Sequence, residues 1–325
     1  MNLYPMDVPS FLIPYMHTKA MERLQGIDMN CGMNFTSFPL FKHIQSYSRY
    51  EHSVDTALLA WHFSQNKVVA IASLFHDIAT PAFSHTIDFM HGDYQKQEST
   101  EDLTEKIISS DADIMKQLEE DHIFVKDVSN YHMYPLADND TPRLSCDRLE
   151  YTLHNAVNYG FSTINEIHSL LEDTDIDLNE DGIEEICFRR EDKAERFTEL
   201  ALSCGKVYSS KEDRYGMERL SEILKQAVSL HILKEEDFMM DEACVINKLE
   251  NSTLKDRWLS FTHLSKITVT DTYEDGSISL VVKKRWIDPL IKDSVRISHI
   301  SDTLNRNIHG FLSDDMHEYL KGDTL

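Results

Sequence analysis

The sequence predicts a mostly α-helical fold, with small β-hairpins only in the C-terminal half of its 325 residues. Apolar residues recur every three or four positions through most of the chain, which is the spacing of helices that bury one face. Two stretches alternate instead about an Asp-Gly pair, the pattern of a β-hairpin. Because 41% of the residues are hydrophobic, the chain can bury a sizeable core, and we expect a globular protein.

Helices account for the first half of the chain. One begins near Glu51 and ends at the polar turn SQN, residues 64–66. The next, KVVAIASLFHDI, stops before Pro81, because proline has a fixed φ and no N–H to donate. STEDLTEKIISSDADIMKQLEED forms one or two further helices, and NYHMYPLADNDTPRL is a loop. The helix SCDRLEYTLHNAVNY then begins with Ser145 as its N-cap and ends at Gly160.

Two hairpins interrupt the helices of the C-terminal half. DIDLNEDGIEEICFRR turns at Asp181-Gly182, and KITVTDTYEDGSISLVVKKRWI turns at Asp275-Gly276. We interpret the basic run KKRW, residues 283–286, as an exposed strand edge, which lysine commonly protects from further pairing; phosphate binding is the alternative. No linker separates the two halves, so residues 1–165 and 166–325 are predicted to pack as one unit across a soft boundary.

Composition excludes several classes of partner. The net charge of −24, from 32 basic and 56 acidic residues, repels duplex nucleic acid and anionic membranes, so a metal or a local basic cluster must receive any phosphate-bearing ligand. The chain has neither a secretion-signal pattern nor a bilayer-length apolar run, which predicts a soluble, cytoplasmic protein. Its five cysteines include no CxxC pair, which argues against a disulfide framework and against a thiolate zinc site.

The segment LFHDIATPAFSH, residues 74–85, has a His-Asp pair at the end of an apolar helix. Adjacent helical side chains point about 100° apart, so His76 and Asp77 can serve one point only if that point lies off the helix end. Imidazole and carboxylate together suit a divalent metal of intermediate hardness. His52 in SRYEHS and Asp147 in SCDRLEY also stand at predicted helix starts and could complete a set of four ligands.

The motifs SRYEHS, LFHDI…PAFSH and SCDRLEYTL occur in an order and at separations that resemble the HD-domain metal-dependent phosphohydrolases. Within that superfamily the chain is most similar to the deoxynucleoside triphosphate triphosphohydrolase branch, which includes the SAM-and-HD-domain enzymes. The shared features are an arginine three positions before the first histidine, FSH eight to nine residues after the HD pair, and a D(R/K)LDY-like helix. The resemblance covers residues 45–160 and implies an HD-domain helical fold for residues 1–165.

The resemblance implies a metal site and its substrate contacts. A divalent ion, Mn, Fe, Ni, Zn or Mg, would be held by the four ligands His52, His76, Asp77 and Asp147. Tyr151 matches the substrate-contacting tyrosine of the superfamily, and Arg49 matches its phosphate-contacting arginine. Apart from the resemblance, we expect Lys42 to be a second cation that neutralises phosphate. For Arg49, pairing with Glu51 or Asp55 is the alternative.

The predicted catalytic residues are His85, Glu98 and the metal ligand Asp77. Either His85 or Glu98 would be the general acid or base; alternatively, His85 only orients a metal ligand. The chain departs from the triphosphohydrolases at Thr80, where they have a pocket histidine, and at Gln97, where they have the histidine of a His-Glu pair. Glutamine cannot carry a proton near neutral pH, which argues against a histidine-based proton relay.

These observations predict a metal-dependent phosphohydrolase that acts on a nucleotide or another small phosphate ester through attack of a metal-activated water. The alternative is a catalytically weak nucleotide-binding or regulatory protein that retains the metal. A third reading, a metal-stabilised helical interaction protein, needs no arginine or histidine in the pocket. Homo-oligomerisation is compatible with each of them.

Overall fold

The computed structural model describes residues 3–95 and 103–324. Helices predominate in them, which confirms the predicted fold class. The helices are α1 (Ile13–Met16), α2 (Lys19–Glu22), α3 (Arg49–Ser64), α4 (Lys67–Phe75), α5 (Thr86–His91), α6 (Thr104–Ser110), α7 (Ala112–Glu120), α8 (Val125–Val128), α9 (Cys146–Asn158), α10 (Ile164–Leu171), α11 (Glu191–Tyr208), α12 (Lys211–Ser229), α13 (Glu242–Glu250), α14 (Lys255–Thr262) and α15 (Asp302–Ser313). The strands are β1 (Thr174–Leu178), β2 (Glu184–Phe188), β3 (Leu264–Thr270), β4 (Leu290–Ile291) and β5 (Tyr319–Thr324).

Capping residues fix where the three site-bearing helices begin. At the start of α3, Ser48 Oγ accepts the Glu51 N–H, and the Glu51 carboxylate accepts the Ser48 N–H. Ser145 caps α9, as its sequence predicts. Asn66 caps α4, which ends at Phe75, so the HD pair follows this helix rather than forming its last turn. The pair therefore extends from the helix end, where both side chains can reach one point.

The hydrophobic core combines both halves of the chain. Helix α3 packs against α4 and α9, and α9 packs in turn against α11. One buried cluster joins Leu149 and Leu153 of α9 to Phe197 of α11, and another joins Phe83 to Leu220 of α12. Burying such a side chain contributes about 1.5–3 kcal/mol, so packing across residue 165 holds the two halves together. The division of the chain at that residue stays a prediction.

One predicted hairpin is confirmed and the other is wrong. Strands β1 and β2 pair antiparallel about Gly182, whose φ is +73°, and β4 adds to β2 in parallel. Strand β3 pairs instead with β5, and the segment between Gly276 and β4 makes only an isolated bridge, between Ile278 and Leu320. Leu320 of β5 is fully buried, so long-range burial overrides the local turn signal. The following segment, which contains KKRW, leaves the sheet, so its interpretation as a strand edge is also wrong.

The cysteines and the helix lengths were the subject of predictions from composition. All five cysteines are unpaired in the structure, and all except the half-buried Cys244 are buried. Across residues 3–95 and 103–324, no helix combines the length and the apolar character needed to cross a bilayer.

Candidate metal centre

Four side chains from three segments converge on one point. His52 lies in the first turn of α3, His76 and Asp77 directly follow α4, and Asp147 lies in the first turn of α9. The Nε2 atom of His52 is 3.0 Å from both His76 Nε2 and Asp147 Oδ1, and His76 Nε2 is 3.6 Å from Asp147 Oδ1. Asp77 Oδ2 completes the group, 3.9 Å from His52 Nε2 and 3.7 Å from His76 Nε2.

These separations suit donor atoms that share one ion. Ligand atoms about 2.1 Å from a common metal lie about 3.0 Å apart at a right angle and about 3.4 Å apart at a tetrahedral angle. His52, His76 and Asp147 each offer a donor atom within 4.8 Å of the others. The set of two imidazoles and two carboxylates is the mixed donor chemistry of divalent transition metals. The residues predicted as ligands are therefore brought together in a geometry that fits a divalent metal.

The hydrogen bonds on the far side of each imidazole support this fit. His76 Nδ1 is 2.6 Å from the Ser73 carbonyl, which can only accept, so Nδ1 carries the proton and Nε2 presents a lone pair. His52 Nδ1 is 2.5 Å from the Glu150 carboxylate, which assigns the same tautomer to that ring. When both rings are neutral, two Nε2 lone pairs face each other at 3.0 Å. A cation near both would remove their mutual repulsion.

The carboxylates around this point are ionised. Burial raises the pKa of Asp77, but Arg49 and the two imidazoles outweigh it and hold that pKa well below its usual range. Burial likewise raises the pKa of Asp147, and His52 outweighs it. For His52 burial lowers the pKa, yet Glu150 and Asp147 raise it to about 10. Without another cation the site thus favours a proton on His52, which is the behaviour of a site built for positive charge.

Arg49 contacts the candidate metal ligand Asp77 rather than Glu51 or Asp55, the partners proposed as the alternative. Its Nη1 is 2.8 Å from Asp77 Oδ2, and its Nε donates to Ser84 Oγ at 3.1 Å. Thr80, which stands where relatives have a pocket histidine, donates its hydroxyl to Asp77 Oδ1 at 2.9 Å. Both residues therefore hold the Asp77 carboxylate in place. Arg49 also lines the cleft beside it.

The four candidate ligands line a cleft of about 400 Å³. Tyr151 and His85 line this cleft, as their predicted roles require. Lys42 is exposed and lies outside the residues that line it, so the structure gives no support to Lys42 as a phosphate contact. Glu98 and Gln97 lie outside the described residues.

His85 is held in the cleft wall by hydrogen bonds to two charged residues, Asp88 and Arg285. Its Nδ1 donates to Asp88 Oδ2 at 2.9 Å, and its Nε2 accepts from Arg285 Nη2 at 3.3 Å. Burial lowers the pKa of His85, and Arg285 lowers it further against the opposing effect of Asp88, so the ring is neutral near pH 7. The preceding residues Phe83 and Ser84 have φ of +64° and +48°, a left-handed backbone that non-glycine residues rarely adopt.

The C-terminal half supplies cleft residues that sequence reasoning missed. Lys283 and Arg285 of the KKRW run line the cleft, together with Asp213 of α12 and Tyr208 at the end of α11. Burial raises the pKa of Asp213 to about 8, so this carboxyl is largely protonated near neutral pH. The signal in the sequence was a basic run in a strongly acidic chain, for which phosphate binding was the stated alternative.

One wall of the cleft is rich in tyrosine and amide groups. Tyr151 and Tyr208 meet edge to face with ring centres 6.3 Å apart, and the Tyr159 hydroxyl donates to Asn30 Oδ1 at 3.1 Å. Asn155 Nδ2 donates to the Tyr208 hydroxyl at 2.8 Å. The Oδ1 atom of Asn155 is buried and has no hydrogen-bond partner within the described residues. Such a wall can take an aromatic ring and hydrogen-bond a hydroxyl.

Comparisons with known sequences link the chain to named phosphohydrolases. No protein-family model matches it. Among curated proteins, it is 26% identical over 239 residues to the uncharacterised protein YdhJ of Bacillus subtilis, covering 71% of this chain and 68% of that protein. It is 28% identical over 149 residues to the metal-dependent phosphohydrolase cns2 of Cordyceps militaris, covering 46% and 41%. It is 24% identical over 197 residues to the deoxynucleoside triphosphate triphosphohydrolase SAMHD1 homolog of Dictyostelium discoideum, covering 51% and 37%. The chain thus spans less than half the length of the two relatives whose names state an activity.

Solved structures share the fold over nearly the whole chain. A hypothetical protein from Aquifex aeolicus superposes with a TM-score of 0.67 at 17% identity, over 98% of this chain and 94% of that one. A phosphohydrolase from Bacteroides thetaiotaomicron gives a TM-score of 0.66 at 14% identity, over 98% and 97%. At these identities the likeness concerns the fold. Together with the names of the curated relatives it supports the predicted superfamily, with weaker support for the triphosphohydrolase branch.

Proposed function

We propose that this chain, a member of the HD-domain phosphohydrolase superfamily, hydrolyses a small phosphate ester, and a nucleotide in particular. One observation carries the proposal: two imidazole Nε2 atoms and two ionised carboxylates converge at the floor of a cleft that also contains arginine side chains. A phosphate group attracts both the metal that such donors hold and the guanidinium groups beside it.

The metal would be held by His52, His76, Asp77 and Asp147. When bound, a divalent ion lowers the pKa of a coordinated water and polarises a phosphoryl oxygen. Two imidazole donors favour a transition metal over Mg²⁺, which prefers oxygen ligands alone. Glu150 and the Ser73 carbonyl orient the two imidazoles toward the ion, while Arg49 orients Asp77.

Cationic side chains would bind the phosphate beside the metal. Arg49 uses Nε and Nη1 for Ser84 and Asp77, and a guanidinium carries further N–H donors that can point into the cleft. Lys283 and Arg285 line the cleft as well. Fixed positive groups at this position would stabilise the charge that develops on phosphate oxygens during hydrolysis.

His85 is the proposed proton carrier. Asp88 accepts a hydrogen bond from the Nδ1–H group and fixes the ring, which leaves Nε2 as the atom that would take up or release a proton. A neutral ring near pH 7 suits the role of base. Glu98, the other candidate, lies outside the described residues and remains a prediction from the sequence.

The tyrosine-rich wall favours a nucleoside as the organic part of the substrate. Tyr151, Tyr159 and Tyr208 offer aromatic surface for a base and hydroxyl groups for hydrogen bonds. The Dictyostelium relative, named as a deoxynucleoside triphosphate triphosphohydrolase, is consistent with such a substrate.

A second candidate is a nucleotide-binding or regulatory protein that keeps the metal but turns over poorly. Thr80 favours it, because its hydroxyl only supports Asp77 at a position where relatives have a proton-carrying histidine. Gln97, which lies outside the described residues, favours this candidate because glutamine cannot carry a proton near neutral pH.

The test is hydrolysis of a panel of nucleoside mono-, di- and triphosphates by metal-free protein supplied with Mn²⁺, Zn²⁺ or Mg²⁺. We expect metal-dependent phosphate release, which Asp147→Asn should reduce by more than the ~10–100-fold typical of losing an outer hydrogen-bond partner. Asp192→Asn, which changes an exposed carboxylate on α11, is the matched control and should leave the rate unchanged. Metal-dependent nucleotide binding without turnover would instead select the regulatory protein.

A further inference from the structure

Arg285 reaches the cleft from the C-terminal half and contacts the proposed proton carrier. Its Nη2 is 3.3 Å from His85 Nε2, the one ring nitrogen that a reaction in the cleft could use. We propose that Arg285 is a phosphate-binding residue that covers His85 Nε2 until substrate phosphate takes over its guanidinium, which then releases His85 for proton transfer. Phosphate binding by Arg285 does not require that the protein hydrolyses a substrate. The release of His85 for proton transfer rests on the proposed function.

The direction of the hydrogen bond follows from the chemistry of the two groups. A guanidinium is always charged and only donates, so His85 Nε2 must be the acceptor. The Nδ1 proton is already donated to Asp88, which leaves His85 neutral. Three charged groups act on the ring. Asp88 lies on α5, which begins directly after His85, Arg49 lies on α3, and Arg285 lies on the C-terminal segment. Two cations against one anion oppose a proton on Nε2.

Phosphate is a better partner for this guanidinium than a neutral imidazole. Arginine binds phosphate through two parallel N–H···O bonds, and such charge-assisted bonds are about twice as strong as neutral ones. A phosphate beside the metal centre would therefore draw Arg285 away from His85. The ring would lose a cation and gain a neighbouring anion, and both changes favour the proton on Nε2. Substrate binding and proton transfer are in this way coupled through one side chain.

The backbone of this segment is fixed, so only the side chain needs to turn. Lys284 donates its Nζ to the carbonyls of Phe311 and Leu312 at the end of α15, at 2.9 Å each. On α11, a Cβ added to Gly205 would lie 2.4 Å from the Arg285 carbonyl oxygen. This close approach of two backbones requires glycine. The segment is thus held from both sides while Lys283 and Arg285 line the cleft.

The binding part is tested with inorganic phosphate on metal-loaded protein by titration calorimetry. Losing a charge-assisted bond should weaken phosphate binding about 10-fold or more in Arg285→Gln. Arg285→Lys keeps the charge without the two-pronged donor and should fall between wild type and Arg285→Gln. Arg306→Gln, an exposed arginine on α15, is the control and should bind as wild type does. Equal phosphate affinity in Arg285→Gln and wild type would overturn the proposal.

The release of His85 is read by nitrogen NMR of its imidazole, assigned with His85→Gln in a Zn²⁺-loaded sample. Phosphate should shift the wild-type Nε2 signal and move its titration to higher pH. In Arg285→Gln the titration should already lie at higher pH before phosphate is added, with Arg306→Gln behaving as wild type. A His85 titration that is identical with and without Arg285 would refute the release. Should every phosphate ester resist hydrolysis while these shifts occur, the proposed function fails and phosphate binding by Arg285 stands.

Discussion

Glu150 provides the most informative perturbation, because it acts on the metal through another residue. Its side chain is fully buried, and one of its oxygens accepts hydrogen bonds from both His52 Nδ1 and the Tyr47 hydroxyl. Burial raises the pKa of Glu150, but His52 and His154 outweigh it and lower the pKa, so the group is an anion. The carboxylate thus fixes the tautomer of His52 and increases the electron density that Nε2 offers to a metal.

Substitution of Glu150 by glutamine removes the charge and keeps the shape. The amide oxygen can still accept from Tyr47 and His52, and the amide nitrogen replaces the oxygen that lies 3.4 Å from His154 Nδ1. Loss of such an outer partner weakens metal binding by about 10–100-fold. At 1.4 kcal/mol per factor of ten, this corresponds to about 1.4–2.8 kcal/mol of binding free energy.

The assay is a competition titration of Zn²⁺ or Mn²⁺ against a chelator, with thermal unfolding of the metal-free protein alongside. Glu191→Gln, an exposed carboxylate in the first turn of α11, is the control and should bind metal as wild type does. We expect weaker metal binding in Glu150→Gln with the fold retained. Unchanged affinity in a folded Glu150→Gln protein would refute the argument that this carboxylate supports His52.

Three further predictions follow from the cleft and its surroundings. His85→Gln should keep its metal content while turnover falls by ~10²–10⁴, as measured by elemental analysis and initial rates; a lost rate that excess metal restores would instead make His85 an orienting residue. Deoxynucleoside triphosphates should release little tripolyphosphate, because Thr80 and Gln97 replace proton-carrying groups, and robust release in an ion-exchange assay would contradict this. Burial raises the pKa of Glu242 to about 8, so wild type should lose stability as pH rises from about 4.3, the unfolded value, through 8. Glu242→Gln should lose less stability than wild type between pH 5 and pH 9 in thermal unfolding, because other buried carboxyls such as Asp213 still titrate there, and parallel curves for the two proteins would refute the prediction.

The sequence reveals the metal ligands because they sit at helix ends that local chemistry defines. Ser48 and Ser145 cap their helices through contacts within four residues, so His52 and Asp147 are fixed by short motifs. The HD pair follows the helix end at Phe75 by the same local logic. The resemblance to a known superfamily then indicated which of these helix ends lie close together.

Other parts of the site depend on contacts between distant segments. The hydrogen bond between Arg285 and His85 joins positions 200 residues apart. Nothing in the local sequence of a basic run indicates that its side chains line a cleft. The second hairpin was wrong because Leu320 is buried against β3, which no turn signal can anticipate. Lys42 was proposed from its charge alone, and charge does not determine which way a surface loop faces.

The central claim is that this fold assembles a divalent metal site from two imidazoles and two carboxylates. Elemental analysis of protein reconstituted with Mn²⁺ or Zn²⁺ and freed of excess metal tests it most directly. We predict one tightly held ion per chain in wild type, and its loss in Asp77→Ala, which removes an anionic ligand that imidazoles cannot replace. Full occupancy in Asp77→Ala, or a wild-type protein that retains no ion, would contradict the account.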